Sequence, residues 1–363
     1  MEIKQRSRLS WIAVLLLVAV FTGGSFLLAR LLVGNRSTVL TRAALLPCTP
    51  DQNIQPLGNG LVYYDGNLLR RLNGSLKQSW SCMVGSCADY EAGENGVAAW
   101  NGTMLTLLDA SSGASLYSGN MEQSILSARM GPTYAAVLTG EEQNSTMIVM
   151  DRSGAQVDAI SFENVTVMDY GFFSDGAMLW VMTLDTEGTT PMSSISTYRP
   201  GRSLAGTITD AEQVVYHVQC EDAQIRAVGT TYIKTYDYTG PEITSDRQLV
   251  YGWYMVDVGE GENPLMCFVP TGQADGSLSV NDVRLIRSSS ERKIRMPFAC
   301  TDLLIKGSTL YGFSGQYAMI CGPEAEKPTV YTLPLTTDRV IGLTDNQSAI
   351  IVSGDQVYLV PLN

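Results

Sequence analysis

The sequence predicts an all-β fold of repeated four-stranded units closed into a ring, and three observations carry that prediction. Short apolar runs joined by tight-turn residues recur along the chain. The clearest runs through residues 96–113, where 97–100 and 103–108 meet at Asn101-Gly102, a dipeptide suited to the positive φ angles of a type I′ hairpin, and Asp109-Ala110-Ser111-Ser112-Gly113 closes the second strand with turn formers. The first strands of such hairpins begin near Leu61, Val97, Tyr134, Met178, Gln224, Pro264, Thr309 and Ala349, between 36 and 46 residues apart. A period of about 40 residues holding several short strands is the mark of a β-propeller blade, which cannot bury its apolar faces alone but does so when blades pack in a ring. Composition agrees: 34 glycines and 17 tyrosines stand against only 17% charged residues. Eight hairpins imply eight blades, with seven as the alternative.

The chain begins with a short basic tail, residues 1–8, containing Lys4, Arg6 and Arg8, and residues 9–28 carry no charge. The apolar run resumes after Arg30 as Leu31-Leu32-Val33, so 9–33 is long enough for a single transmembrane helix with Arg30 reaching toward the headgroups. A cleaved signal peptide is the rival. Its apolar region normally covers about 7–15 residues before a small-residue cleavage site, whereas Gly23-Gly24-Ser25 lies inside a longer run. Arg30, Arg36 and Arg42 balance the three basic residues before the span, so positive-inside counting ties. A short basic tail is readily kept in the cytoplasm, and a large body behind one N-terminal anchor is the part translocated. The expectation is a cytoplasmic tail, a cell-membrane anchor and an extracytoplasmic propeller over 46–363. The five basic residues Lys4, Arg6, Arg8, Arg30 and Arg36 against Glu2 give residues 1–36 a charge of +4, leaving −16 of the total −12 for the remainder. An acidic body disfavours nucleic acid.

In order, the predicted hairpins pair 61–64 with 68–72, with 77–82 as an outer strand; 97–100 with 103–108; 134–138 with 146–150; and 178–184 with 194–198 across the loop 185–192. They continue as 224–228 with 231–236, 265–269 with 283–286, 310–313 with 317–321, and 349–352 with 357–360. The last pair has no outer strand after it, and an incomplete blade leaves an exposed edge. The juxtamembrane segment 34–45, with 37–46 as its strand-forming part, either donates the missing strand or is a plain linker.

Few residues invite chemistry. His217 is the single histidine and alternates with apolar residues in Val214-Val215-Tyr216-His217-Val218, which reads as a structural strand position. Neither a multi-histidine metal site nor a Gly-x-Ser-x-Gly elbow is present. The seven cysteines include no Cys-x-x-Cys pair; Cys82 and Cys87 flank a turn at Gly85-Ser86 and either form a disulfide across it or stay as thiols. The turns that begin at Asp109, Asp151 and Asp237 lack the alternating carboxylates of a calcium loop and read as turn chemistry. No metal and no cofactor is expected. Six Asn-x-Ser/Thr sequons, at Asn35, Asn73, Asn101, Asn144, Asn164 and Asn346, matter only in a eukaryotic secretory route. Tyr232, Tyr236, Tyr238, Tyr251, Trp253 and Tyr254 form the densest aromatic group; they are either a binding surface, with Tyr236, Tyr238, Trp253 and Tyr254 its leading candidates, or alternating core residues between blades.

The closing turns resemble those of propellers that bind pyrroloquinoline quinone, in which an Asp-x-x-Gly-like turn is often followed by tryptophan. Trp80 echoes that tryptophan, but Leu116, Val157 and Ile243 stand in the equivalent places elsewhere and the vicinal cysteine pair is absent. The stretches 178–185, 195–201 and 228–237 resemble a family of bacterial proteins with one N-terminal membrane helix and a propeller-like exterior, domain of unknown function 5711. That resemblance implies a Gram-positive envelope setting and brings no catalytic residues. The functional expectation is a membrane-anchored scaffold for protein interaction or ligand sensing, with an envelope protein as partner and no catalysis. The alternative is an envelope hydrolase or lyase using channel carboxylates such as Asp169, Asp257 and Asp302.

Overall fold

In the computed structural model the described residues run from 38 to 362, apart from 222, 262, 274–279 and 289. The basic tail 1–8, the predicted membrane helix 9–33 and residues 34–37 lie outside the described residues. The described strands form eight sheets, the eight blades of a propeller. In chain order they cover 54–83, 89–120, 125–163, 166–210, 215–249, 253–300, 302–337 and 339–361. First strands of neighbouring blades touch one another, as between Ile54–Leu57 and Asp89–Gly93, so the first strand of each blade is the innermost and borders the central channel.

Each predicted hairpin forms the middle of a blade. Gly96–Asn101 pairs antiparallel with Met104–Leu108 around the Asn101-Gly102 turn, and Gly102 takes φ +58°. These middle strands are covered on both faces by adjacent blades, which explains their unbroken apolar runs such as Ala349-Ile350-Ile351-Val352. Outer strands such as Gln156–Glu163 have one wet face and alternate instead. Apolar clusters fill all eight gaps between blades. One joins blades 2 and 3 through Ala98, Leu107, Val137 and Met150, and another joins blades 8 and 1 through Ile350, Val357, Leu61 and Leu72. In the seventh blade the stretch Thr309–Cys321 is extended throughout yet doubles back at Gly315 (φ +53°). An added Cβ on Gly312 would lie 3.1 Å from Met319 Cγ, a contact that a straight strand forbids. The predicted 310–313 and 317–321 hairpin is therefore present.

The ring closes through the N-terminal segment, as the missing outer strand suggested. Strand β2 (Ala44–Leu45) pairs antiparallel with Gln356–Pro361 and completes the eighth blade, and Leu46 and Cys48 follow it into the core between blades 8 and 1. The segment also serves a second blade: β1 (Thr38–Val39) lies parallel to Thr329–Thr337 at the edge of the seventh.

Adjacent blades are further fixed by the closing turns. Asp109 Oδ1 accepts hydrogen bonds from the Ser111 and Ser112 amides (3.2 and 2.8 Å) and from both their hydroxyls (2.7 Å each). Gly113, at φ +69°, then lies flat against the indole of Trp80 in the preceding blade, whose Nε1–H donates to the Ala110 carbonyl at 3.2 Å. Gly154 meets Tyr117 in the same manner, and Gly201 meets Val157. The tryptophan echo in the sequence thus has its physical role, although smaller side chains fill it elsewhere.

Candidate functional site

The innermost strands carry the polar residues that could act together in the channel. Five of them contain a β-bulge near Leu126, Met168, Tyr216, Val256 and Ile341, where one residue drops out of the ladder. Bulges re-aim side chains. Leu126, Met168 and Val256 are left exposed here, at 40%, 50% and 36%, although the flanking residues of their strands are packed. Tyr254, also exposed, stacks on Tyr216 with ring centroids 4.8 Å apart.

The three predicted carboxylates all sit on inner strands, each on a different blade, and each is engaged. Asp257 accepts from the Ile305 amide of the next blade at 2.6 Å and from Val258 N–H at 2.9 Å. Asp302 accepts from the Val340 amide of the next blade at 3.3 Å and from the Thr301 hydroxyl at 2.9 Å. Asp169 pairs at 3.2 Å with Arg129 of the preceding blade. Gln55 performs the same task between blades 1 and 2, accepting from Ala92 N–H (2.8 Å) and donating to the Tyr90 carbonyl (3.0 Å). These side chains latch one inner strand to the next. Burial pushes the Asp257 carboxyl above the usual range, against the pull of its two amide donors. Among the described residues no group of three or more His, Cys, Asp and Glu side chains is placed to hold a metal ion.

Arg129 is the most connected inner-strand residue and was not singled out in the sequence. Its Nε donates to Glu91 at 2.5 Å, its Nη1 reaches Asp169 and the Tyr170 carbonyl, and its guanidinium lies 5.3 Å from the Tyr170 ring centre, so it ties blades 2, 3 and 4 together. The one local signal was Arg129, the single charged residue of its inner strand Ile125–Met130. His217 follows the bulge of blade 5. Burial pulls its pKa down, the nearby Asp169 charge only partly opposes this, and its Nε2 has no hydrogen-bond partner. It is a half-buried side chain.

The aromatic group is distributed rather than assembled. Tyr236 is in the core between blades 4 and 5 and points its hydroxyl at Asp210 (3.4 Å). Tyr238 lies under Arg199, Trp253 is near Lys293, Tyr232 is near Arg247, and Tyr251 is 75% exposed. Cys82 and Cys87 both carry free thiols. The gap between blades 4 and 5 also hides an ion pair that sequence reasoning missed: Lys234 Nζ lies 3.0 Å from Asp210 and 2.8 Å from Glu212, with the Lys234 and Asp210 side chains almost fully buried. Burial pulls the Lys234 pKa down, but its hydrogen bonds to Glu212 and Asp210 outweigh this and hold it above the ordinary lysine value.

Cavities open between blades. One of about 450 Å³ lies between blades 2 and 3 beside Tyr117, Met121 and Met150; one of about 680 Å³ is lined by Tyr134, Arg199, Arg202 and Tyr238; and one of about 420 Å³ lies between blades 5 and 6. These volumes fall in the range of small-molecule sites.

No family model matches the chain, and no curated protein matches it in sequence. Solved structures match it in shape. BamB from Moraxella catarrhalis superposes with a TM-score of 0.55 at 14% identity, covering 89% of this chain and 99% of that one. The C-terminal WD40 domain of Sif2 gives 0.61 at 11% identity, covering 91% and 100%, and Saccharomyces cerevisiae Sqt1 gives 0.57 at 10%, covering 90% and 100%. The likeness extends over nearly the whole of each neighbour and establishes the propeller fold.

Proposed function

We propose that this chain is a single-pass membrane protein of the bacterial envelope, related to domain of unknown function 5711, whose extracytoplasmic propeller is a non-catalytic scaffold for an envelope protein or a sensed ligand. The observation that carries this reading is the use of the inner-strand carboxylates. Asp169, Asp257 and Asp302 each hold a neighbouring strand, so the residues best placed for channel chemistry serve to close the ring. The propeller fold itself is a rigid ring that presents loops at both faces.

The strand directions add an orientation. In each blade the turns between second and third strands share one face with the connections between blades, and the closing turns lie on the other. Because β1 runs parallel to Thr329–Thr337, Thr38 enters from the face of loop 322–328, the closing-turn face. Residues 34–37 allow no more than about 18 Å of chain between the end of an anchor at 33 and Thr38. This supports a ring held close to the membrane, with the face bearing the Asn101-Gly102 turn directed outward. Intact cells treated with protease test the topology: the body should be cut from outside while residues 1–8 stay protected. Cross-linking of the full-length protein in its native envelope should enrich a partner over a variant with charge-reversed outward loops. A body protected in intact cells, or equal recovery from both proteins, removes the reading.

A further inference from the structure

We infer that the cavity between blades 5 and 6 is a binding site for a small polar zwitterion of the amino-acid class. The cavity, about 420 Å³, is lined by Glu221, Gln224, Arg226, Thr235, Asp246 and Gln248 among others.

Two of its lining groups carry opposite charges, and each has a buried atom without a hydrogen-bond partner among the described residues. Arg226 is only 7% exposed; its Nη2 makes one long bond to the Ser288 carbonyl (3.4 Å), and its buried Nη1 has no hydrogen-bond partner. Glu221 Oε1 is likewise buried without a partner. Both side chains lie on the same face of blade 5. Gln219 pairs with Arg226 and Glu221 with Gln224 across the ladder, so Glu221 and Arg226 are diagonal neighbours, close enough to interact electrostatically but not paired as a salt bridge. Burial depresses the Arg226 pKa, as expected for a guanidinium short of acceptors.

Buried charged groups are nearly always paired, and an orphan donor beside an orphan acceptor in one polar cavity calls for a partner with both complementary groups. A ligand carboxylate answers the guanidinium, where bidentate geometry is available, and a ligand ammonium answers Glu221, while the exposed Asp246 at the rim lies within electrostatic reach of Arg226. A volume of about 420 Å³ suits a small ligand. The other cations are already occupied: Arg247 is held by Glu242 at 2.9 Å and by Glu212 at 3.4 Å, which leaves Arg226 to select the anionic end. This site does not depend on whether the body is membrane-anchored.

Ligand-observed NMR and calorimetry on the full-length protein, with L-serine as the zwitterion and propionate and ethylammonium as single-charge probes, test the inference. L-Serine should bind saturably at or below ~1 mM, and each single-charge probe at least tenfold more weakly. Arg226→Gln and Glu221→Gln should each weaken L-serine at least tenfold. Because Arg226 is buried and its replacement could unfold blade 5, Glu221→Gln, at a half-buried side chain, is the variant that decides. No saturation by L-serine, or propionate binding as tightly as L-serine, overturns the inference. So does a crystal structure grown with L-serine in which Glu221 and Arg226 pair directly and the cavity is empty. Each of these outcomes leaves the membrane topology and partner experiments unaffected, so the two readings fail separately.

Discussion

Replacing Gly113 by alanine tests how the blades are locked together. An added Cβ would sit 2.5 Å from Trp80 Cγ, 2.6 Å from Cδ2 and 2.8 Å from Cβ, distances that real Cβ atoms essentially never show. The indole has little room to yield, since Trp80 is 7% exposed and its Nε1–H is held by the Ala110 carbonyl. Three contributions add. Alanine at φ +69° carries about 1–2 kcal/mol of left-handed strain, displacement of a packed side chain about 1–3 kcal/mol, and loss of the indole hydrogen bond about 1 kcal/mol. The total is about 3–6 kcal/mol. For a cooperative ring of this length the unfolding entropy is about 0.7 kcal/mol per kelvin, so Tm should fall by about 4–8 °C in calorimetry. Gly102→Ala is the control, because Gly102 has nearly the same φ (+58°) with nothing within 4 Å of its added Cβ, and it should lose only about 2 °C. In a Trp80→Ala background the extra effect of Gly113→Ala should disappear. Equal shifts for the two glycine variants, or an undiminished effect without the indole, would refute the role given to Trp80.

Three further expectations follow from the same structure. Proline at both Leu45 and Leu46 removes the amide that donates to the Val357 carbonyl and breaks β2, so light scattering should detect concentration-dependent association through the uncovered edge of Gln356–Pro361. Lys234→Met leaves Asp210 buried and unpaired and should destabilise by about 3–5 kcal/mol in urea unfolding, with Asp210→Asn in the same chain restoring part of it. Since the folded Lys234 pKa is raised, its stabilising contribution is present below the ordinary lysine value and is lost as pH climbs through the folded value. Asp109, Asp151 and Asp237 behave oppositely: hydrogen bonds from Ser111 and Ser112, from Ser153, and from Thr239 hold their carboxyls below the usual range. Stability should therefore decline as pH drops below about 4, and the decline should be shallower in Asp109→Asn.

The ring was legible because its information is local and repeated. A hairpin such as 97–108 declares itself through Asn101-Gly102 and the apolar runs either side, and eight such units at similar spacing have few ways to bury both faces other than in a closed circle. Even the seventh hairpin, which forms one continuous extended stretch through Gly315, was visible as two short apolar runs, 310–313 and 317–321. The dual use of the N-terminal segment was not. Two-residue strands such as Thr38–Val39 have no periodicity to read, and their pairing is decided by which edges the ring leaves open.

Candidate sites were illegible for a related reason: their members are joined only by closure. Glu91, Arg129 and Asp169 come from three successive blades, and nothing in the local sequence says that three inner strands bring them together. The tyrosines and tryptophan of 232–254 show the converse, since their closeness along the chain hid the fact that Tyr236 turns into the core toward Asp210 while Tyr254 turns toward Tyr216. A propeller converts neighbours in sequence into opposite faces of one blade and converts residues about 40 positions apart into contacts across a gap. Function in such a ring should therefore be sought at blade-to-blade junctions, where a side chain's partner lies one repeat away. That is where the unpaired Arg226 lies, against Ser288 of the following blade.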